Sequence, residues 1–242
     1  MKNSSKYLLA AVLVLLASLT AYNMALRTEY HQGTYKDPLR GFATLPLTGF
    51  TEVAVPAAGS VSVKVVAGPY SVHISPRVQE FVHVRQQGQR LVVEANFPVR
   101  QEFLGWGDGV VISCPRLTAL TADAVYLEGG QQQAIKAYPG NRTVRVQGFV
   151  QDSLTVQADR ASHVELAGNK LGLLRATTGA TPGSHTTLTL GADNRIAAAK
   201  LDLQHQSELK MNNVLIPELH YVVADSAQAL LGGTVLRSLS QK

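Results

Sequence analysis

Five aspartates, Asp123, Asp152, Asp159, Asp202 and Asp225, recur near turn signals in the second half of the chain. Acids stacked on one strand face are the equipment of polysaccharide cleavage, where two carboxylates must converge on one glycosidic bond. The neighbouring residues point to a plainer duty. Asp159 and Asp225 sit in the strings ADRAS and ADSAQ, corner-like contexts in which an aspartate accepts local backbone N–H groups. Turn capping is therefore the expectation, and a carbohydrate-active β-helix enzyme the alternative. Seven histidines, His31, His73, His83, His163, His185, His205 and His220, form neither H-x-x-x-H nor H-E-x-x-H. His73 and His83 fall on neighbouring expected strands without a carboxylate at ligand spacing, so they read as surface or edge-strand residues. Cys114, the only cysteine, follows Val110-Val111-Ile112 and precedes Pro115, the setting of a small core residue. Gly-x-Ser-x-Gly and P-loop patterns are absent, and Gly191-Ala192-Asp193-Asn194 is a lone turn rather than a calcium-binding array. No catalytic residue, metal ligand or cofactor site is assigned.

The stretch Phe97 to Gly109, FPVRQEFLGWGDG, concentrates a different kind of chemistry. Phe97, Arg100, Phe103, Trp106 and Asp108 lie between a proline and three glycines, and aromatic and arginine residues anchor interfaces. Two roles fit: a partner-binding loop, or a loop folded over the open end of a β core. Capping is the favoured expectation.

Behind these residues stands a chain of 242, 45% apolar but only 6% aromatic and 16% charged, so its core is aliphatic. Formal net charge is +5. Arg85, Arg90, Arg100, Arg142 and Arg145 are scattered among Val and Gln, without the basic stripe that nucleic-acid binding requires. Nucleic acid is not an expected partner.

Tyr7 to Leu26, YLLAAVLVLLASLTAYNMAL, carries no charge, and a helix of that length reaches about 30 Å, one bilayer core. Lys2 and Lys6 precede it, which keeps the N-terminus cytoplasmic and sends the remainder across. The best signal-cleavage site, Leu19-Thr20-Ala21, puts a large leucine where a small residue belongs, and no lipoprotein cysteine follows. The expected organisation is an uncleaved single-pass anchor over 1–26, a juxtamembrane linker over 27–45 and an extracytoplasmic domain over 46–242. That domain is periplasmic if the cell has two membranes.

From Phe50 onward, apolar residues alternate with small or polar ones in short runs, punctuated by Pro56, Gly59, Gly68-Pro69, Ser75-Pro76 and Gly88. This is the pattern of an all-β domain. The second half also repeats itself. Aligning ADRASHVELAGNKLGLL (158–174), LQHQSELKMNNVLIPEL (203–219) and VADSAQALLGGTVLRSL (223–239) brings Ser162, Ser207 and Ala227 together. Val164, Leu209 and Ala229 then coincide, as do Leu166, Met211 and Leu231, the corners Gly168, Asn213 and Gly233, and Leu174, Leu219 and Leu239. Offsets of forty-five and twenty residues fit two turns and one turn of a parallel β-solenoid, whose turns share one continuous core.

These residues, with the apolar start, resemble the GIN-domain family of adhesin-like head domains. The resemblance rests on Gly49-Phe50-Thr51-Glu52-Val53-Ala54-Val55, Val61-Ser62-Val63-Lys64-Val65, Val110 to Leu117 (VVISCPRL), and the corners Ala167-Gly168-Asn169 and Ala176-Thr177-Thr178-Gly179. It covers about residues 45 to 240. The family's serine-glycine corners are mostly replaced, and Thr181-Pro182-Gly183-Ser184 looks like an inserted loop. The resemblance implies a right-handed β-solenoid at the cell envelope; the expected role is a non-enzymatic module for adhesion, scaffolding or sensing, with the membrane and an envelope protein or polysaccharide as partners. It transfers no catalytic residue.

Overall fold

The computed structural model describes residues 3–33, 38–98, 107–135 and 142–239. The chain forms two units, Met1–Gly41 and Phe42–Lys242. In the first, helix α1 (Asn3–Gln32) is long and apolar enough to cross a membrane. Its mild polar residues direct their donors to their own helix: Ser18 Oγ to Leu15 O at 2.9 Å, Thr20 Oγ1 to Leu16 O at 2.7 Å. The helix runs six residues beyond Leu26, where the sequence reading ended it. It stops at Gly33, whose φ of 67° and bonds to the Glu29 and Tyr30 carbonyls, both 3.2 Å, make a left-handed cap.

The second unit is built from strands. Its first half holds β1 (Ala43–Leu45), β2 (Glu52–Val55), β3 (Ser62–Ala67), β4 (Ser71–Ile74), β5 (Val82–Gln87), β6 (Arg90–Phe97), β7 (Asp108–Cys114), β8 (Ala119–Ala122), β9 (Val125–Glu128) and β10 (Gln131–Ala134). Its second half holds β11 (Val144–Gln147), β12 (Val150–Ala158), β13 (His163–Ala167), β14 (Lys170–Thr178), β15 (Thr187–Leu190), β16 (Arg195–Leu203), β17 (Glu208–Met211), β18 (Glu218–Val223) and β19 (Gln228–Leu231). A short helix, α2 (Gly233–Leu239), follows. Two mixed sheets result. Sheet A runs β1-β4-β7-β3-β11-β13-β15-β17-β19, and sheet B runs β10-β9-β6-β2-β8-β12-β14-β16-β18, with β5 on β6.

The halves differ in hand of pairing. From β11 onward successive strands alternate between the sheets, and each pairs in parallel with the next strand of its own sheet. Before β11, the pairs β1–β4, β4–β7, β5–β6 and β9–β10 are antiparallel. The parallel arrangement expected over all of 46–242 therefore holds only in part. Two-residue turns cause two of the reversals: Gly88-Gln89 with Gly88 at φ 61°, and Gly129-Gly130 at φ 56° and 84°. Positive φ at those positions closes hairpins, which parallel strands cannot use.

Register explains the core. Val144 pairs with Val164, twenty positions on; His163 pairs with Thr187, twenty-four on. Val164, Leu188 and Leu209 stand in one column of sheet A, and Leu166, Leu190 and Met211 in the next, all at most 3% exposed. The residues aligned in the sequence are these columns, with Leu188 and Leu190 supplying the intervening rung. Sheet B answers with Leu154, Leu174 and Ala199, each fully buried. Burying each large aliphatic side chain is worth about 1.5–3 kcal/mol, and only stacked rungs can do it.

A corner between the sheets carries a buried amide pair. Asn169 Nδ2 donates to Val146 O at 3.0 Å and to Asn194 Oδ1 at 3.1 Å, while its Oδ1 accepts the Phe149 N–H at 3.0 Å. Asn194 Nδ2 donates to Leu166 O at 2.6 Å. The preceding corner residue is Gly168 in one rung and Asn213 in another, at φ 62° and 56°, where only glycine or asparagine sits without strain.

At the last rung the sequence alignment holds in register, Ala229 beside Leu209 and Leu231 beside Met211, and fails beyond it. Leu231 is half-buried, Gly233 has no positive φ, and Leu239 belongs to α2 rather than to a strand. Among the described residues β19 is the last strand of sheet A, and beyond it the backbone closes locally: Val235 and Leu236 N–H bond to Gly232 O at 3.0 and 3.1 Å. Val235, 2% exposed, joins the core.

Candidate functional site

Of the five residues singled out in the aromatic stretch, Arg100, Phe103 and Trp106 lie outside the described residues. Phe97 ends β6 and is 2% exposed, stacked on Phe81 at 5.5 Å and edge-on to Tyr126 at 5.7 Å. It is a core residue, not part of a surface loop. Asp108 is exposed at the start of β7.

Two of the aspartates, Asp123 and Asp159, line one small groove, and each is held by a partner. Asp123 is ion-paired with Arg160, and Asp202 accepts Gln204 Nε2 at 2.7 Å. Asp159 accepts Thr181 N–H at 3.0 Å and the Thr181 hydroxyl, pinning the loop that lengthens its rung. Burial pulls the Asp159 carboxyl up, but the bonds from Thr181, Arg160 N–H and Ser184 outweigh it and hold the group below its usual range. Asp152 and Asp225 are placed on separate strands and turns. His73 lies in sheet A, its Nδ1 3.0 Å from Thr44 Oγ1, whereas His83 lies in sheet B. Among the described residues no group of histidine, cysteine and acids could hold a metal. Cys114 is fully buried, and burial pushes its thiol up to about 11 against the bond from Arg116 N–H, so it is not a thiolate at neutral pH.

A site that the sequence reading missed lies on the outward face of sheet B. Strand alternation turns Leu174, Ala176 and Thr178 of β14 inward and Arg175 and Thr177 outward. On β16 the same pleat turns Leu201 inward and Lys200 and Asp202 outward. Register sets Arg175 beside Lys200 and Lys200 beside His220, with rungs about 4.8 Å apart. Lys170 stands beside Arg195 at the start of the same two strands. All five side chains are exposed, and the four lysines and arginines have no ion pair among the described residues.

Arg175, Thr177, Lys200, Asp202, His220 and Val222 line an open groove of about 830 Å³. Tyr221 stands at its rim on β18, 56% exposed, although it continues the column of the buried Leu201. The acid lining the groove is Asp202, and Glu218 stands at the start of β18. The groove offers a row of fixed cations, a hydroxyl and one aromatic ring. Its lining holds one acid, Asp202, and one histidine, His220. The missed signal was the offset of twenty-five: KLGLLRATT and RIAAAKLDL superimpose with Lys170 on Arg195 and Arg175 on Lys200.

No protein-family model matches the chain, and no curated protein does. Among solved structures, it is similar to a candidate adhesin from Bacteroides fragilis at 12% identity and a TM-score of 0.40. It is also similar to two proteins of Parabacteroides distasonis: a candidate lipid-binding protein at 9% and 0.29, and a candidate adhesin at 10% and 0.25. Each alignment covers 78% of this chain and 96% of the other. Scores this low establish neither a shared fold nor a shared role.

Proposed function

We propose that the chain is a non-enzymatic module of the cell envelope. In this reading α1 is an uncleaved anchor, and the strand-rich unit is a GIN-like, right-handed β-solenoid displayed outside the cytoplasm for adhesion, scaffolding or sensing. The pairing register supports it most: parallel rungs about twenty residues apart around one dry core hold their outward columns as a rigid array. Asp123, Asp159 and Asp202, each occupied by a local partner, speak against the hydrolase alternative. A C-terminal reporter active only outside the cytoplasm tests the topology. Activity there with Met1 retained is the expected result, whereas a cytosolic soluble protein or hydrolysis of envelope polysaccharides would overturn it.

The stretch from Phe97 to Gly109 is assigned the capping role, on the strength of the buried Phe97 at its start. Trp106→Ala should then lower stability by about 3–5 kcal/mol, as large core truncations do. Unchanged melting with weakened partner capture would make the stretch a recognition loop instead.

A further inference from the structure

The cations of sheet B are arranged against the stability of the sheet. Like charges directly opposite on neighbouring strands repel, and β14 and β16 hold two such pairs, Lys170–Arg195 and Arg175–Lys200. The molecule neutralises charge elsewhere. On the outer face of sheet A, Arg145 stands beside Lys64 but bonds Glu165 at 2.9 Å, and Lys210 bonds Glu208 at 2.8 Å. An acid in place of Arg175 or Lys200 would have done the same for sheet B. A cost left uncorrected at neighbouring rungs marks a surface held for a ligand.

The geometry narrows the ligand. Converging cations with buried donors suit one compact anion; Arg175 and Lys200 stand on neighbouring rungs along the stacking axis, solvent-facing, with the His220 ring on the next rung. A file of charges suits a ligand whose negative charge also repeats along a line. The width of the face adds to this: Asp202 and Glu218 flank the file, so a broad anionic plane would meet them as well, while a narrow chain passes between. Single-stranded nucleic acid would need successive aromatic platforms, and the groove lining includes one aromatic residue, Tyr221. Thr177 supplies a hydroxyl for sugar hydroxyls.

We propose that the face formed by Arg175, Lys200 and His220 binds a linear carboxylated polysaccharide lying along the file. The proposal rests on the reading of the unit as exposed outside the cytoplasm and gives its partner a chemical class.

The test uses the full chain in neutral detergent with a size series of polyuronate: monomer, trimer, hexamer and polymer. Neutral dextran and vesicles containing anionic lipid are run in parallel. Affinity should rise from monomer to hexamer as successive rungs are engaged, weaken with added salt, and be absent for dextran. The double variant Arg175→Gln/Lys200→Gln should bind the polymer about tenfold more weakly, because two exposed cations that pair with its carboxylates are removed together. Arg145→Gln, on the opposite sheet, should bind as the parent does. Equal binding by the double variant, equal affinity for monomer and hexamer, or binding to the vesicles but not the polymer would each overturn the proposal. None of these outcomes bears on the topology, which the reporter decides separately.

Discussion

Over the strands from β13 to β18, the outward faces of the two sheets share one pleat and one rung spacing, yet they differ in how charge is paired. Sheet A neutralises: Arg145 with Glu165, Lys210 with Glu208, and His163 Nε2 within 3.1 Å of Thr189 Oγ1. Sheet B leaves Lys170, Arg175, Arg195 and Lys200 open beside a groove. Inside, the two sheets are alike, since Leu166 and Leu174 are both fully buried in columns of aliphatic side chains. The core therefore specifies the fold equally from both sides, and the outer columns are where the sides were free to diverge.

The largest expected effect probes that shared core. Leu166→Ala on sheet A and Leu174→Ala on sheet B should each destabilise by about 2–5 kcal/mol. Chemical denaturation of the two variants measures this, and a large loss on one side alone would show that the sheets do not share one core. The outer faces should then separate by sign. Arg145→Gln breaks a partly exposed pair and should cost at most about 1 kcal/mol. Lys200→Gln relieves repulsion and should stabilise by about 0.2–1 kcal/mol. A destabilised Lys200→Gln protein would mean that the cation is structural, and the contrast between the faces would collapse.

The smallest effect is in pH. Burial, reinforced by the nearby Lys210 charge, holds the His163 imidazole below its ordinary value of 6.5, against the pull of Glu165 and Glu208. The unfolded chain then takes up the proton first, so stability is fully present above 6.5 and falls as pH drops below it, down to the lowered folded value. Melting temperature followed from pH 8 to pH 5 should show this decline in the parent and a shallower one in His163→Gln. Identical profiles would remove His163 from the accounting of sheet A.

Much of the second half was legible because its rungs repeat. Leu166 and Met211 could be aligned by eye, and the structure stacks them with Leu190 between. The rung holding Leu188 and Leu190 was passed over because the loop before it shifts the register from twenty positions to twenty-four. The first half was less legible, since alternation has the same period in parallel and antiparallel strands. Only turn chemistry such as Gly129-Gly130 distinguishes them. The cation file escaped for a related reason. Lys170 and Arg175 are five residues apart in sequence, Arg195 and Lys200 likewise, and neither pair looks clustered until register lays one upon the other. The stretch from Phe97 to Gly109 drew notice by its composition, and its first residue, Phe97, is buried in the core.

The buried amides Asn169 and Asn194 give the corner a further meaning. Asn169 bonds to Val146 O and Phe149 N–H on one side and to Asn194 on the other, so three rungs are tied through one side chain. Hydrocarbon columns alone would tolerate a rung sliding by two positions, because leucine on leucine is as dry as before. An amide has no such tolerance: a slid rung would leave its donors and acceptors unmatched in the interior. The pair thus works as an index mark, and the alignment of every outward row, the cation file included, is inherited from it.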